Sequence, residues 1–139
     1  MRYRCFEKTW VLRFERGEEI VSALKAFCAE HGIALAAVSG IGAADRVTIG
    51  CFKTGTKEYI RKELIGDHEI TGLAGTVSTM GGRPYLHLHV TLADSDWRTF
   101  GGHLDSAVVS GTCEVVLHPI EGRLERVYDE QVGLNLLKL

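Results

Sequence analysis

The 139-residue sequence lacks several features that mark specialised classes of protein. It has no basic surplus, because 16 Lys and Arg residues against 18 Asp and Glu residues give a formal net charge of -2. A protein that binds nucleic acid chiefly through its phosphates usually has such a surplus. The net charge therefore disfavours a nucleic-acid-binding protein unless basic residues cluster on one face. No apolar run is long enough to span a bilayer, and we therefore expect no association with a membrane.

The sequence also lacks the cysteine spacing of a disulfide framework or a Cys-x-x-Cys site. Its four cysteines are scattered through apolar segments, at Cys5, Cys28, Cys51 and Cys113. This distribution predicts buried, reduced thiols rather than disulfides. A nucleophilic cysteine would need a histidine brought close by the fold, which spacing alone cannot show. No basic stretch followed by an apolar one opens the chain, so we expect a cytoplasmic protein.

What remains is an ordinary globular composition, with 45% hydrophobic and 24% charged residues. It predicts one domain spanning residues 1–139. The expected fold class is α+β: a single compact domain with a mostly antiparallel sheet of about seven strands, one main helix and short flanking helices.

The main helix is indicated by apolar residues from Ile20 to Cys28 that recur at helical spacing. Glu18 and Glu19 precede it, and His31-Gly32 supplies a C-terminal stop.

Strands are indicated by alternation over residues 2–14, which predicts one long or interrupted strand. We interpret Gly40-Ile41-Gly42 as a tight turn between two strands, since no helix pattern follows to support a nucleotide loop. Other predicted strands cover residues 57–64, 68–80, 85–92 and 103–117, the last of these as one strand or two. The apolar tail is expected to dock on the core or on a neighbouring subunit.

The most informative stretch is LHLHVTLADSDWRTFGGHL, which holds three of the six histidines. On a strand, His87 and His89 project from one face, opposite Leu86, Leu88, Val90 and Leu92. An antiparallel return would place His103 beside them, with Gly101-Gly102 allowing a close backbone approach. Three imidazoles match the ligand set of a zinc-type site with one free position. The alternative is that they are ordinary polar residues on an exposed strand face.

The other three histidines are not close to a second histidine in the sequence. We expect His31 at a helix end, His68 in a loop and His118 at a strand end. Candidate general bases for a metal-assisted reaction are Glu69, Asp94, Asp96 and Asp105, none of them selected by its spacing. Asp94-Ser95-Asp96 is interpreted as a self-capping polar loop.

The run GRPYLHLHVTLADSDWRTFGGHL resembles the signature of the PPC domain, the plants-and-prokaryotes conserved domain. RGEEIVSALKAFCAEHGI is similar to its first helix, AAVSGIGAADRVTIG to its glycine-containing strand pair, and GLNLLKL to the ending of bacterial members. The resemblance implies an antiparallel sheet with flanking helices, a homotrimer, and a metal, usually taken as zinc, at His87, His89 and His103.

The resemblance also implies an association with DNA, because the domain occurs beside AT-hooks in plant nuclear proteins. Gly82-Arg83-Pro84 matches the core of an AT-hook, but it lacks the basic flanks that would enter a minor groove. A hairpin turn explains these three residues, and we assign them no DNA role.

Three functional hypotheses follow. The first is a trimeric, DNA-associated regulatory protein, which requires basic residues to cluster on one trimer face; the candidates are Arg2, Arg4, Lys53, Lys57, Arg61 and Lys62. The second is a zinc-dependent small-molecule binder or hydrolase-like enzyme, in which Trp97 and Phe100 either wall a pocket or are simply buried in a loop. The third is an oligomerisation module with structural zinc closed by a fourth ligand.

Overall fold

The computed structural model describes residues Met1–Leu139 and consists of eight strands and one helix. In chain order the elements are β1 (Arg2–Phe6), β2 (Thr9–Glu15), α1 (Ile20–Glu30), β3 (Ala36–Lys53), β4 (Glu58–Met80), β5 (Arg83–Asp94), β6 (Thr99–Pro119), β7 (Arg126–Asp129) and β8 (Leu134–Leu137). The chain is mostly antiparallel sheet, as the alternating patterns predict.

Six strands form one sheet in the order β1-β2-β6-β3-β4-β5. β5 also pairs with the first residues of β6, so that β3, β4, β5 and β6 hydrogen-bond in a closed ring. All of these pairings are antiparallel. The ring brings residues far apart in sequence onto one surface, and the remaining two strands, β7 and β8, form a separate hairpin.

The predicted helix is confirmed as α1. Glu19 is its N-cap and accepts hydrogen bonds from the backbone N–H groups of Val21 and Ser22 at 2.9 and 2.7 Å. The buried face consists of Ile20, Leu24, Phe27 and Cys28, and the helix packs on β5 and β6. Gly32 follows with a φ of 65°, the left-handed conformation expected after a helix C-terminus. With 11 residues, α1 is too short to cross a membrane.

Two expectations about the strands are corrected. Gly40-Ile41-Gly42 is not a turn, because β3 continues through it with register shifts between Gly40 and Gly42. A Cβ on Gly42 would lie 2.4 Å from the carbonyl oxygen of Thr112, so this glycine allows β6 to approach rather than the chain to reverse. The segments predicted as 57–64 and 68–80 are likewise one strand, β4, whose first part pairs only with β3.

The prediction of short flanking helices is also wrong, because α1 is the only α-helix in the chain. The strands are joined by turns such as Gly81–Gly82, where both glycines have positive φ, and such turns leave no room for a helical turn. A hairpin turn is predicted for this stretch and is present at Gly81 and Gly82, but Arg83 and Pro84 already belong to β5.

The cysteine prediction is half right. Cys28 and Cys113 are buried, and burial raises the pKa of their thiols to about 12 and about 11. Cys5 and Cys51 are exposed, Cys5 because β1 is an edge strand with no buried residue. All four thiols are free.

The C-terminal tail docks on the core. The backbone N–H of Thr79 in β4 donates to the carbonyl of Leu124 at 2.9 Å, and the Thr79 hydroxyl bonds the carboxylate of Glu125. Glu125 also accepts from the backbone N–H of Gly82 at 3.0 Å. These contacts hold the β7–β8 hairpin beside the turn between β4 and β5.

Candidate metal centre

The three histidines of the cluster come together as the alternation predicts. His87 and His89 lie on one face of β5. Leu88 and Val90 point to the opposite face and are buried, with 1% and 3% exposure. The Cα partner of His89 across the β5–β6 ladder is His103. Strand register alone therefore sets the third ring beside the first two.

The spacing of the rings suits a metal ion. Their centroids are 5.2 to 5.6 Å apart, and one ligand nitrogen from each ring lies within 4.8 Å of the others. The Nε2 atoms of His87 and His89 are 3.3 Å apart. Two nitrogens bound at ~2.0–2.1 Å to one tetrahedral zinc ion would be about 3.3–3.4 Å apart, so this donor set fits the ion.

The electrostatic environment keeps two of these rings neutral. Burial, and then the neighbouring Arg126 and the other two imidazoles, lower the pKa of His87 to about 4. Burial lowers the pKa of His103 as well, although the carboxylate of Asp105 opposes this shift. A neutral imidazole offers the lone pair that a metal ion requires.

Two glycines allow the strands around the cluster to approach closely. A Cβ on Gly102 would lie 2.7 Å from the carbonyl oxygen of Gly50 in β3, and a Cβ on Gly101 would lie 3.1 Å from that of Val90 in β5. The predicted close approach is therefore tightest at Gly102, and there it is to β3. A Cβ on Gly50 would lie 1.9 Å from the hydroxyl oxygen of Tyr59, so the Tyr59 ring occupies the space above this glycine.

The histidines lie in a cavity of about 680 Å³. Its wall includes Tyr59 and Tyr85, apolar side chains such as Phe52, Leu134 and Leu136, and three charged residues, Arg61, Asp105 and Arg126. Leu134 and Leu136 belong to β8, so the docked tail completes the wall.

Asp105 is the one predicted carboxylate that reaches the cavity. It accepts from Arg61 Nε at 3.0 Å and from the Tyr59 hydroxyl at 3.3 Å, and its Oδ1 atom lies 4.0 Å from His103 Nε2. Burial and the nearby Asp105 carboxylate raise the pKa of Tyr59 to about 12, which keeps the phenol protonated as a donor.

The other candidate carboxylates lie elsewhere. Asp94 accepts from the backbone N–H groups of Asp96 and Arg98 at 3.0 and 2.9 Å, and both acids pair with the Arg98 side chain, as expected of a polar loop. Glu69 is exposed on β4 and does not line the cavity.

The remaining aromatic candidates are not in the site. Trp97 is 86% exposed at its turn, and Phe100 packs against the core, so neither walls the cavity. His31 caps α1 and His118 lies near the end of β6, as predicted. His68 is buried within β4, with Nδ1 2.6 Å from the carbonyl oxygen of Gly66, and the loop predicted for it is wrong.

Two residues of the site had no signal in the sequence analysis. Arg126 lies in β7 and Tyr59 near the start of β4, and each reaches the cavity only through long-range packing. Tyr85 lies two residues before His87 on β5, so strand alternation puts it on the same face, and it also lines the cavity.

The basic residues considered for DNA binding form two groups within one chain. Arg2 and Arg4 lie on β1, whereas the other four lie around the β3–β4 connection. Four of the six already have partners within the chain. Arg2 pairs with Glu15, Lys53 with Glu58 and Arg61 with Asp105, and Lys57 donates to the carbonyl of Glu130.

Solved structures of the same fold come from bacteria and archaea. A candidate DNA-binding protein of Bacteroides thetaiotaomicron is 36% identical, with a TM-score of 0.96 over 99% of this chain and 96% of that one. A metal-containing protein of Archaeoglobus fulgidus is 38% identical, with a TM-score of 0.90 over 99% and 97%. A plant- and prokaryote-conserved protein of Pyrococcus horikoshii is 32% identical, with a TM-score of 0.87 over 99% and 95%.

Among curated proteins, the bifunctional protein GlmU of Synechococcus sp. (strain JA-3-3Ab) is 29% identical over 129 residues, which cover 91% of this chain. The chain spans only 20% of the length of that relative. The family model of the Plants and Prokaryotes Conserved (PCC) domain matches residues 1–121. The chain belongs to this family, as the histidine and glycine motifs predict.

Proposed function

We propose that this chain is a homotrimeric metal-binding protein in which His87, His89 and His103 hold a zinc ion inside a small-molecule cavity. The observation that carries the proposal is the convergence of three imidazole nitrogens within 4.8 Å of one another. The description of the Archaeoglobus relative as metal-containing supports it.

The cavity favours an open site over a closed structural one. The cluster contains no fourth His, Cys, Asp or Glu ligand from this chain, and Asp105 is already engaged by Arg61 and Tyr59. A bound zinc ion would supply Lewis acidity to a ligand in the cavity. In a hydrolytic version of this function, Asp105 is the only carboxylate in the cavity wall, and it would have to leave Tyr59 or Arg61 to accept a proton. Closure by a ligand from another subunit would instead favour the structural role.

Elemental analysis of purified protein tests the metal. We expect one zinc ion per chain in the wild type and none in a His87/His89/His103→Ala triple variant, because three nitrogen donors supply most of the affinity. His118→Ala is the matched control, since it removes an imidazole outside the cluster. Equal metal content in the wild type and the triple variant would contradict the proposal.

The trimeric state is tested by light scattering after gel filtration. We expect a particle of three 15.3 kDa chains. Tyr3, Phe6, Ile41, Ile65 and Trp97 are among the large apolar side chains left exposed on a single chain, which supports assembly. A mass equal to one chain would contradict it. We also propose a cytoplasmic location and a single folding domain of residues 1–139, supported by the free thiols and by the docked tail.

A DNA-associated role is the second candidate function, favoured by the description of the Bacteroides relative. It requires the two basic groups to meet on one face of the trimer. Fluorescence anisotropy with duplex DNA at low salt tests it, because phosphate contacts are strongest there. Binding that weakens steeply with salt is expected, and no binding at low salt would end this hypothesis.

A further inference from the structure

Arg126 is a buried guanidinium without an acidic partner. It is 7% exposed, and its three nitrogens contact only neutral groups. Nε donates to the Ser78 hydroxyl at 2.8 Å, Nη1 donates to the carbonyl of Asn135 at 2.8 Å, and Nη2 lies 3.5 Å from His87 Nδ1. Burying a charge is costly unless an opposite charge accompanies it, so this arrangement points to a partner outside the chain.

The charges of the cavity add up to a positive excess. Arg61 and Asp105 form an ion pair at 3.0 Å and balance each other. Arg126 then remains as the one uncompensated charge of the wall. A divalent ion held by the three histidines would increase this excess, which an anionic ligand would offset.

Metal binding would also release the third nitrogen of Arg126. The Nε2 atoms of His87 and His89 face each other, so they are the atoms placed to bind an ion. A neutral imidazole whose Nε2 lone pair is used keeps its proton on Nδ1. His87 Nδ1 can then no longer accept from Arg126 Nη2, which is left needing an acceptor.

A second free donor lies on the same wall. The Tyr85 ring lies 5.0 Å from the Arg126 guanidinium, and its hydroxyl accepts from Asn135 Nδ2 at 3.3 Å. The proton of this hydroxyl is therefore available. A carboxylate matches the two donors with its two oxygens, whereas a phosphate would leave oxygens without partners here.

We infer, building on the proposed metal site, that the cavity binds a small organic acid whose carboxylate is held by Arg126 Nη2 and the Tyr85 hydroxyl beside the three histidines. The apolar side chains of Phe52, Leu134 and Leu136 in the cavity wall suit the organic part of such a ligand. The residues that provide this specificity lie partly in the tail, beyond the residues matched by the family model.

Thermal unfolding and calorimetry of the zinc-loaded wild-type protein test the inference. The probes are lactate and malate, with lactamide as the uncharged counterpart and inorganic phosphate as the other anion. At saturating concentrations we expect the carboxylates to raise Tm by about 5 °C, since a ligand that binds only the folded state stabilises it. Lactamide and phosphate are expected to give no shift.

Variants of Arg126 and Tyr85 test whether these two residues bind the carboxylate. Arg126→Gln is expected to lose at least tenfold in carboxylate affinity while keeping its zinc, whereas Arg123→Gln, which removes an exposed charge nearby, is expected to bind as the wild type does. Because Arg126 also bonds Ser78 and Asn135, its replacement can destabilise the hairpin. Tyr85→Phe leaves the guanidinium in place and is expected to weaken binding severalfold.

Zinc content is measured first, so that the two proposals fail separately. Protein without zinc would contradict the proposed metal site. Four results with zinc-loaded protein would overturn the inference and leave the metal site standing. They are no binding of carboxylates, equal binding of lactamide, a preference for phosphate, and full carboxylate affinity in both Arg126→Gln and Tyr85→Phe.

Discussion

Gly50 shows how a single residue can determine the shape of the site. The Tyr59 ring lies directly over its backbone and its hydroxyl donates to Asp105, which also pairs with Arg61. A side chain at position 50 would occupy the space of the ring, so this glycine is required for a close approach and not for a turn.

Gly50→Ala is therefore expected to displace Tyr59 and to break its hydrogen bond to Asp105. Overpacking of this kind costs ~1–3 kcal/mol of unfolding free energy, measurable by urea denaturation. Gly72→Ala is the matched control within a strand, because a Cβ there would meet nothing within 4 Å. Equal stability of the two variants would show that the ring moves without cost.

At the same scale, the sequence predicts the histidines well and the arginine not at all. His87 and His89 share a face because alternation is local, and His103 follows from the antiparallel return. Arg126 is separated from His87 by 39 residues, and no local pattern relates the two. A buried charge in a tail hairpin becomes visible only once the tail is seen to dock.

The element that most affects the site is the β7–β8 hairpin. It contributes Arg126, Leu134 and Leu136 to the cavity wall, and Glu125, just before β7, bonds it to the turn between β4 and β5. The Thr79 hydroxyl, with the backbone N–H of Gly82, lowers the pKa of Glu125 below its ordinary value of 4.5. The folded state therefore favours the ionised carboxylate.

This shift predicts a pH dependence. A lowered pKa contributes stability that is fully present above pH 4.5 and is lost as the pH falls through the folded-state pKa. Glu125→Gln is expected to be less stable than the wild type at pH 7, with the difference shrinking on acidification. Urea unfolding at pH 7 and pH 3 measures it, with the exposed Glu121→Gln as control. A difference independent of pH would contradict the assigned role of the carboxylate.

Strand length is where prediction at the element scale fails. Glycines at 40 and 42 imitate a turn, yet in β3 they accommodate the backbone of β6. A sequence pattern cannot distinguish a glycine that reverses the chain from one that admits a neighbouring strand, because both need the absence of a side chain. The helix was predicted closely because its cap and its buried face are both local.

At the scale of the whole molecule, ring closure of β3, β4, β5 and β6 creates the site. The cavity draws residues from all four of these strands and from the tail hairpin. Composition predicts one domain and the alternating patterns predict its strands, but the pairing of β5 with both β4 and β6 is a property of the folded sheet. The histidine motif lies on the ring, while Arg126 and the side chains of Leu134 and Leu136 reach the cavity from the tail.

The central claim, that three imidazoles hold one cation in this cavity, is tested most directly by anomalous diffraction at the zinc edge on crystals of the purified protein. The account predicts one peak per chain at ~2.0–2.1 Å from a ring nitrogen of each of His87, His89 and His103. A map with no peak among these rings, or with the zinc bound elsewhere on the chain, would contradict it.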